Sequence, residues 1–381
     1  MTKPQNERKP MSRKARDRRA SSQELTADSV KTCNSLASKV PKWLRTRSKH
    51  SSIVISTRIR LARNLAGFAF PAQRKEQELR QVVQEVLAAV TTLEEFEHAR
   101  YVDLTKISAT DRRVLMERRL ASPEFIESKQ PSLLIIARDE YLSMMVNEED
   151  HLRIQSFCGG LSLSKAWQPL VSLDRSLSEC LDYAFSERFG HLTACPTNTG
   201  TGMRASIFAH LPAISAAKGM KETVRRFSSK GITLRGFYGE GSKVLGNIYQ
   251  ISNQVTLGKA ESELLSVLET ETQELIRAER NAREKMLQSQ RRQLEDQVWR
   301  AYATLKYARL LSSMELVNLL SAIRLGNDLG ILTDWPDTLL NEIMLRSQPG
   351  HLQKSHGDID PAAARDATRA DIVREWLSLQ C

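Results

Sequence analysis

The sequence predicts an α+β protein in which a strand-bearing part is followed by a wholly helical one. Three observations predict it. Leu133-Leu134-Ile135-Ile136 and Tyr141 to Val146 flank the polar turn Arg138-Asp139-Glu140 and read as an antiparallel hairpin. Leu79, Val82, Val83, Val86, Leu87 and Val90 recur with a helical period. Residues 260 to 325 contain no proline and are rich in Ala, Leu, Glu, Gln, Arg and Lys, the composition of long amphipathic helices.

The chain starts on charge. Residues 1–50 hold 14 Lys/Arg against 4 Asp/Glu, so they carry nearly all of the formal net charge of +11, and the remaining 331 residues balance at 42 to 41. This places no nucleic-acid-binding surface in the folded part. With almost no apolar residue before Leu25, the stretch predicts a disordered basic tail, and organised structure is expected from about Pro41-Lys42-Trp43. Neither a secretory signal nor a transit peptide matches it. No apolar run approaches the ~20 residues of a membrane helix. Five cysteines, at 33, 158, 180, 195 and 381, lack paired metal spacing and fit reduced thiols in a cytoplasmic protein.

Ser52 to Ser56 reads as a short strand, and Arg58 and Arg60 beyond it point the same way on an extended chain. Two guanidinium forks on one face suit a polyphosphate; the same pattern also describes a charged edge strand. After the helix at Gln77 to Val90, the hairpin delivers Glu148, Glu149 and Asp150 to its exit, where adjacent acids call for a solvated turn or a bound cation. Cys195-Pro196 begins a loop, since proline biases the preceding residue towards extended geometry. Gly200 and Gly202 then permit a tight turn, and Arg204 offers donors shaped for phosphate oxygens. His151 and His210 read as local hydrogen-bonding residues. Ser312 to Glu315 resembles a capping box, with Asn327 and Gly330 ending the helix it opens. Arg365 and Arg369 share a helical face beside Asp366, as on many solvated helices.

Five segments together carry a resemblance: Ser56-Thr57-Arg58-Ile59-Arg60 with Leu61 to Asn64; Asn147 to Gln155; Cys195 to Ala213; Arg235 to Gly241; and Gln250 to Gln254. They resemble the ATP:guanidino phosphotransferases, most closely the bacterial protein-arginine kinases of the McsB type. The resemblance implies a phosphagen-kinase-like antiparallel sheet flanked by helices at residues 51–280, followed by an all-helical domain at 281–381 that dimerises and binds phosphoarginine. It also implies ATP with Mg2+, arginine-bearing protein substrates, a zinc-finger activator, a Clp chaperone-protease and a homodimer, with no specific nucleic-acid or membrane partner.

The chemistry fits such an activity. A protonated guanidinium is a poor nucleophile, so carboxylates must orient it and accept its proton. By resemblance these are Glu149 and Glu240, with Cys195 as a positioning thiolate. Nucleotide contacts fall to Ser56, Thr57, Arg58, Ile59 and Arg60; to Arg153; to Arg204, Ala205, Ser206, Ile207 and Phe208; and to Arg235, Gly236, Phe237, Tyr238, Gly239 and Glu240. Arg365, Asp366, Arg369 and Ala370 match an allosteric phosphoarginine pocket; no metal ligands are implied. Two departures stand out: Arg119 where these kinases carry His before Leu-x-Ser-Pro, and Thr199 in place of an aliphatic residue. A kinase of a small free guanidine and a non-catalytic phosphoarginine-binding adaptor are the alternatives.

Overall fold

The computed structural model describes residue 24 and residues 28–46, 48–73, 75–236, 244–357, 359 and 362–378. Eight strands, β1 (Val54–Arg63), β2 (Arg100–Asp103), β3 (Leu133–Ile136), β4 (Leu142–Val146), β5 (Leu152–Gly159), β8 (Met203–His210), β9 (Ile232–Gly236) and β10 (Ile248–Asn253), form one sheet. Their order is β2-β3-β4-β5-β1-β8-β10-β9, and every pairing is antiparallel. A small separate hairpin joins β6 (Phe185–Ser186) to β7 (Gly190–His191).

Side chains alternate across a strand, so each central strand carries two different surfaces. Ile59 and Leu61 of β1, Ile154 of β5, Ala205 and Ile207 of β8 and Ile251 of β10 are buried in the main core. Helices α3 (Glu76–Val90) and α6 (Leu163–Cys180) bring Val82, Val86, Leu170, Leu173 and Leu177 to that core. The residues between them, Arg58 and Arg60, Arg153, and Arg204, face the other way. Core formation therefore fixes the direction of the arginines: a one-residue slip would exchange the two faces.

The boundary of the basic tail requires a correction. Within residues 1–50, α1 (Ser29–Ser38) and α2 (Lys42–Arg45) are helical. Cys33 and Leu36 are fully buried against Val102, Leu115, Phe125 and Leu134, and Trp43 stacks on Phe157 with centroids 5.1 Å apart. Their apolar positions, diluted by the neighbouring lysines and arginines, are enough to dock both helices. Shorter helices α4 (Ala109–Glu117), α5 (Pro123–Glu127), α7 (Pro212–Ala216) and α8 (Met220–Ser229) complete this half.

Helix α9 (Glu261–Tyr307) crosses between two cores, with non-helical backbone at Gln290. Leu264, Leu268 and Leu275 belong to the sheet's core; Leu294, Val298 and Leu305 belong to a second. The latter is completed by α10 (Ser313–Asp328), α11 (Asp337–Arg346) and α13 (Ala362–Ser378), with α12 (Pro349–His356) between them. Ser312 caps α10 by accepting the Glu315 N–H at 3.2 Å. A buried ionic seam joins the halves. Arg283 donates to Glu279 at 2.8 Å, to Asp328 at 2.6 Å and to the His210 carbonyl at 3.0 Å, while His210 Nε2 meets Ser321 Oγ at 2.8 Å.

Candidate active site

Arg60 lies directly opposite Arg204 in the ladder between β1 and β8, and Arg58 opposite Ser206. Residues paired across a ladder share a face. Following the registers outward, Arg153 pairs with Ala62, and Arg235 with Gln250, which pairs with Phe208. Five arginines thus gather on one face of the sheet. Thr57, Ile59, Ala205 and Ile207, expected among the nucleotide contacts, face the opposite side. The Thr57 hydroxyl is spent on the Gly160 carbonyl at 2.6 Å, and the other three are core residues. Of the two contiguous runs, the even-numbered members Ser56, Arg58 and Arg60, and Arg204, Ser206 and Phe208, lie on the arginine face.

The cluster's electrostatics call for an anion. Burial, and then Arg119, Arg153 and Arg204, push the Arg58 guanidinium down to about 9. Burial, then Arg58, Arg153 and Arg204, drive Arg60 well below its ordinary value. Arg204 is lowered by burial, Arg153 and Arg235. The Nε atoms of Arg58, Arg60 and Arg204 are buried without a hydrogen-bond partner. Mutually repelling guanidinium groups with unmatched donors are the complement of a polyphosphate.

The acidic turn after β4 divides its labour. Glu148 is not a solvated acid: its carboxylate accepts from Arg153 at 2.5 Å and from the Ser122 hydroxyl at 2.6 Å. Against the upward pull of burial, this pairing holds Glu148 below the usual range. Asp150 is buried and accepts from Asn64 at 2.6 Å and from the Ala194 N–H at 2.7 Å. Asn147 anchors the turn by donating to the Leu79 and Pro131 carbonyls, both at 2.9 Å. Glu149 alone is exposed; partial burial, then Asp150 and Glu148, raise its carboxyl above the usual value.

Cys195 precedes a single 3-10 turn, Pro196–Asn198, in a loop as the proline requires. Its Sγ lies 3.0 Å from Thr197 Oγ1. The thiol and Glu149 both act on Arg204, opposing the downward effect of burial there. Thr199 retains a role for its hydroxyl. It meets Thr193 Oγ1 at 3.0 Å, and Thr193 donates to the Cys195 carbonyl at 2.7 Å. Thr256 donates to the Thr197 and Thr199 carbonyls at 2.9 and 2.7 Å. Gly200 is required by contact: a Cβ there would fall 2.3 Å from the Thr256 carbonyl oxygen.

Other expected residues fare differently. Gly236 ends β9, whereas Phe237, Tyr238, Gly239 and Glu240 lie outside the described residues. His151 accepts the Leu65 N–H at 2.9 Å. In the C-terminal motif, Arg369 is 1 % exposed and is committed to the Ser347 and Leu311 carbonyls at 3.0 and 2.6 Å and to Asp366 at 2.5 Å. It fastens α13 to the neighbouring loops. Ala370 is buried in the helical core, and Arg365 donates to the Ile359 carbonyl at 3.4 Å.

Arg119, which departs from the family pattern, lies against the arginine face. Its guanidinium lies 3.7 Å from the Phe208 ring centroid, with Arg58 over the same ring at 5.6 Å. The backbone at Arg119 has φ 62°, and Gln155 donates to its carbonyl at 3.2 Å. The buried pair of Arg63 and Asp174, 2.7 Å apart, was also not foreseen; it supports the strand beneath the cluster.

An antiparallel sheet with an arginine face, an acidic turn and a thiol loop at its rim defines a catalytic domain of the ATP:guanido phosphotransferases, and the model of that family's C-terminal catalytic domain matches residues 81–282. The model of the protein-arginine kinase McsB C-terminal domain matches residues 291–380. Protein-arginine kinases from Desulforamulus reducens and Halalkalibacterium halodurans are each 41 % identical to it, over 88 % and 90 % of this chain and 95 % and 96 % of theirs. The chain belongs to the protein-arginine kinase family. Among solved structures, the duplicated taurocyamine kinase of Schistosoma mansoni with bound transition-state analogue components is 29 % identical, with a TM-score of 0.55, over 64 % of this chain and 35 % of that one. A lombricine kinase shares the fold at 24 % identity and a TM-score of 0.54, over 64 % of this chain and 70 % of that one.

Proposed function

We propose that this protein transfers the γ-phosphoryl group of ATP to arginine side chains of proteins, and that the two ends of the arginine face serve its two substrates. The observation that carries this is that Arg153 of the arginine face donates to Glu148 of the acidic turn at 2.5 Å, and that the Ala194 N–H, next to Cys195, donates to Asp150 of the same turn at 2.7 Å. Arg58, Arg60, Arg204 and Arg235 bind the phosphates, with Arg153 held in place by Glu148. Their fixed positive charge favours the transition state, in which charge spreads over the transferred group. Magnesium would neutralise phosphate charge on the nucleotide.

At the acceptor end, Glu149 pairs with the incoming guanidinium, orients one nitrogen in line with the γ-phosphorus and takes its proton. Glu240 is its partner in this reading. Cys195 holds the guanidinium from a second side, with no covalent intermediate. The helical domain supplies a phosphoarginine-responsive surface around Arg365 and Asp366 and a contact for a homodimer. A zinc-finger activator, a Clp-type protease acting on marked proteins, and a cytoplasmic setting complete the proposal. No helix among the described residues is long and apolar enough to cross a membrane.

The test is to incubate the purified protein with ATP and either a protein substrate or free arginine, then map phosphate by mass spectrometry under non-acidic conditions that preserve the phosphorus–nitrogen bond. Modified arginine within the protein is expected. Transfer to free arginine alone would instead identify a small-guanidine kinase.

A further inference from the structure

An apolar surface with no part in phosphoryl transfer stands beside the thiol loop. The β6–β7 hairpin leaves Phe185 58 % and Phe189 43 % exposed, and Leu257, following β10, is 51 % exposed. Isolated exposed apolar residues need no explanation; apolar residues grouped around one feature do. Here Gly200 is the feature that groups them. His191 and Gly200 exchange main-chain hydrogen bonds at 2.8 and 3.2 Å. A Cβ at Gly190 would lie 2.5 Å from the Gly200 carbonyl oxygen, and one at Gly200 would lie 2.9 Å from the Leu257 Cα. The hairpin therefore abuts one side of the turn and Leu257 the other.

The hairpin is braced. The Phe185 and His191 rings meet edge to face at 5.2 Å, and His191 meets Tyr183 at 5.9 Å. Burial, then Arg63, pushes His191 down to about 4, so the ring between the two aromatics is uncharged at neutral pH. Arg188 lies over Phe189 at 5.0 Å, capping that ring with a planar cation.

A kinase acting on arginine within a polypeptide must bring more than a guanidinium to the thiol. The substrate backbone then lies no farther from Cys195 than one extended arginine side chain, and Thr256, the residue before Leu257, donates to the Thr197 and Thr199 carbonyls of the Cys195 loop at 2.9 and 2.7 Å. We propose that Phe185, Phe189 and Leu257 form a docking rim for apolar side chains that flank the target arginine of the protein substrate. This rests on placing Cys195 at the acceptor end of the site. Such a rim selects arginines whose apolar neighbours are exposed. Folded proteins bury most such neighbours, so the selection favours extended or unfolded segments.

Two synthetic peptides test it, one with the target arginine flanked by Leu and Phe, the other by Ser. The wild-type protein should favour the apolar peptide in kcat/KM by about ten-fold, the scale of partly burying one or two apolar side chains. The double variant Phe185→Ser with Leu257→Ser should erase that preference through KM, leaving the KM for ATP and the rate on the Ser-flanked peptide unchanged. The conservative pair Phe185→Leu with Leu257→Met should keep it. Absence of a preference in the wild type, its persistence in the double Ser variant, or equal loss on both peptides would overturn the rim. Transfer to the Ser-flanked peptide reads the kinase activity by itself, so failure of the rim and failure of the kinase reading are distinguishable.

Discussion

Asp150 Oδ1 accepts the Ala194 N–H at 2.7 Å, tying the acidic turn to the residue immediately before Cys195. Through this bond and its 2.6 Å contact with Asn64, one buried carboxylate fixes the spacing between the proposed base and the thiol. Replacing Asp150 by Ala leaves the Ala194 N–H without its acceptor and the Asn64 carboxamide with only the Leu192 carbonyl at 3.1 Å, a cost of about 2 kcal/mol. Urea unfolding should show that loss, and kcat should fall more than ATP affinity. A variant of normal stability and normal kcat would show that the latch does not set the site's geometry.

Glu149 must be ionised to accept a proton, and partial burial with the charges of Asp150 and Glu148 raises its pKa. Activity is therefore retained above that raised value and lost as pH falls through it. The acid limb of the kcat/KM profile should lie above the ordinary carboxylate range. Glu149→Gln should remove this limb and lower turnover by roughly 10²- to 10⁴-fold, while ATP binding persists. An unchanged profile in that variant would exclude Glu149 as the base.

Arg119 shares the Phe208 ring with Arg58, and its charge lowers the Arg58 pKa. It is placed to add to the nucleotide site. Arg119→Ala should weaken ATP binding by about ten-fold in calorimetry, the scale of one charge-assisted contact. Tighter binding in the variant would show instead that repulsion of Arg58 dominates.

Arg369 and Arg365 should separate cleanly. Arg369→Ala deprives the Ser347 and Leu311 carbonyls and Asp366 of their donor, and should destabilise the protein by about 3 kcal/mol. Arg365→Ala should leave stability within roughly 0.5 kcal/mol of wild type and reduce phosphoarginine binding. The reverse result, a stable Arg369→Ala variant that has lost only ligand binding, would restore Arg369 as a ligand residue.

The hairpin and the α3 helix were legible because each is a local periodic pattern, bounded by turn residues. Arg58 and Arg60 were legible as a pair because two-residue spacing settles their common direction. Their alignment with Arg204 was not, since the β1–β8 register joins segments 144 residues apart and depends on which apolar residues reach the core. The family resemblance named contiguous runs, whereas the pleat divides each run between the arginine face and the core. Glu148 looked equivalent to Glu149 in sequence. Only the fold brings Arg153 and Ser122 to one of them and leaves the other exposed. Averaging charge over fifty residues concealed the docking of α1, because Cys33 and Leu36 matter by position rather than by number.

Helix α9 gives its first turns to the core beneath the sheet and its last turns to the helical core. No flexible tether therefore separates the part proposed to bind nucleotide from the part proposed to sense phosphoarginine. Two helical stretches meet at Gln290, whose backbone is non-helical, so a strain applied to one end reaches the other through that kink and not along an unbroken ladder of main-chain hydrogen bonds. Cleavage between the halves is consequently expected first at the exposed kink around Gln290, with the helical turns on either side of it resisting.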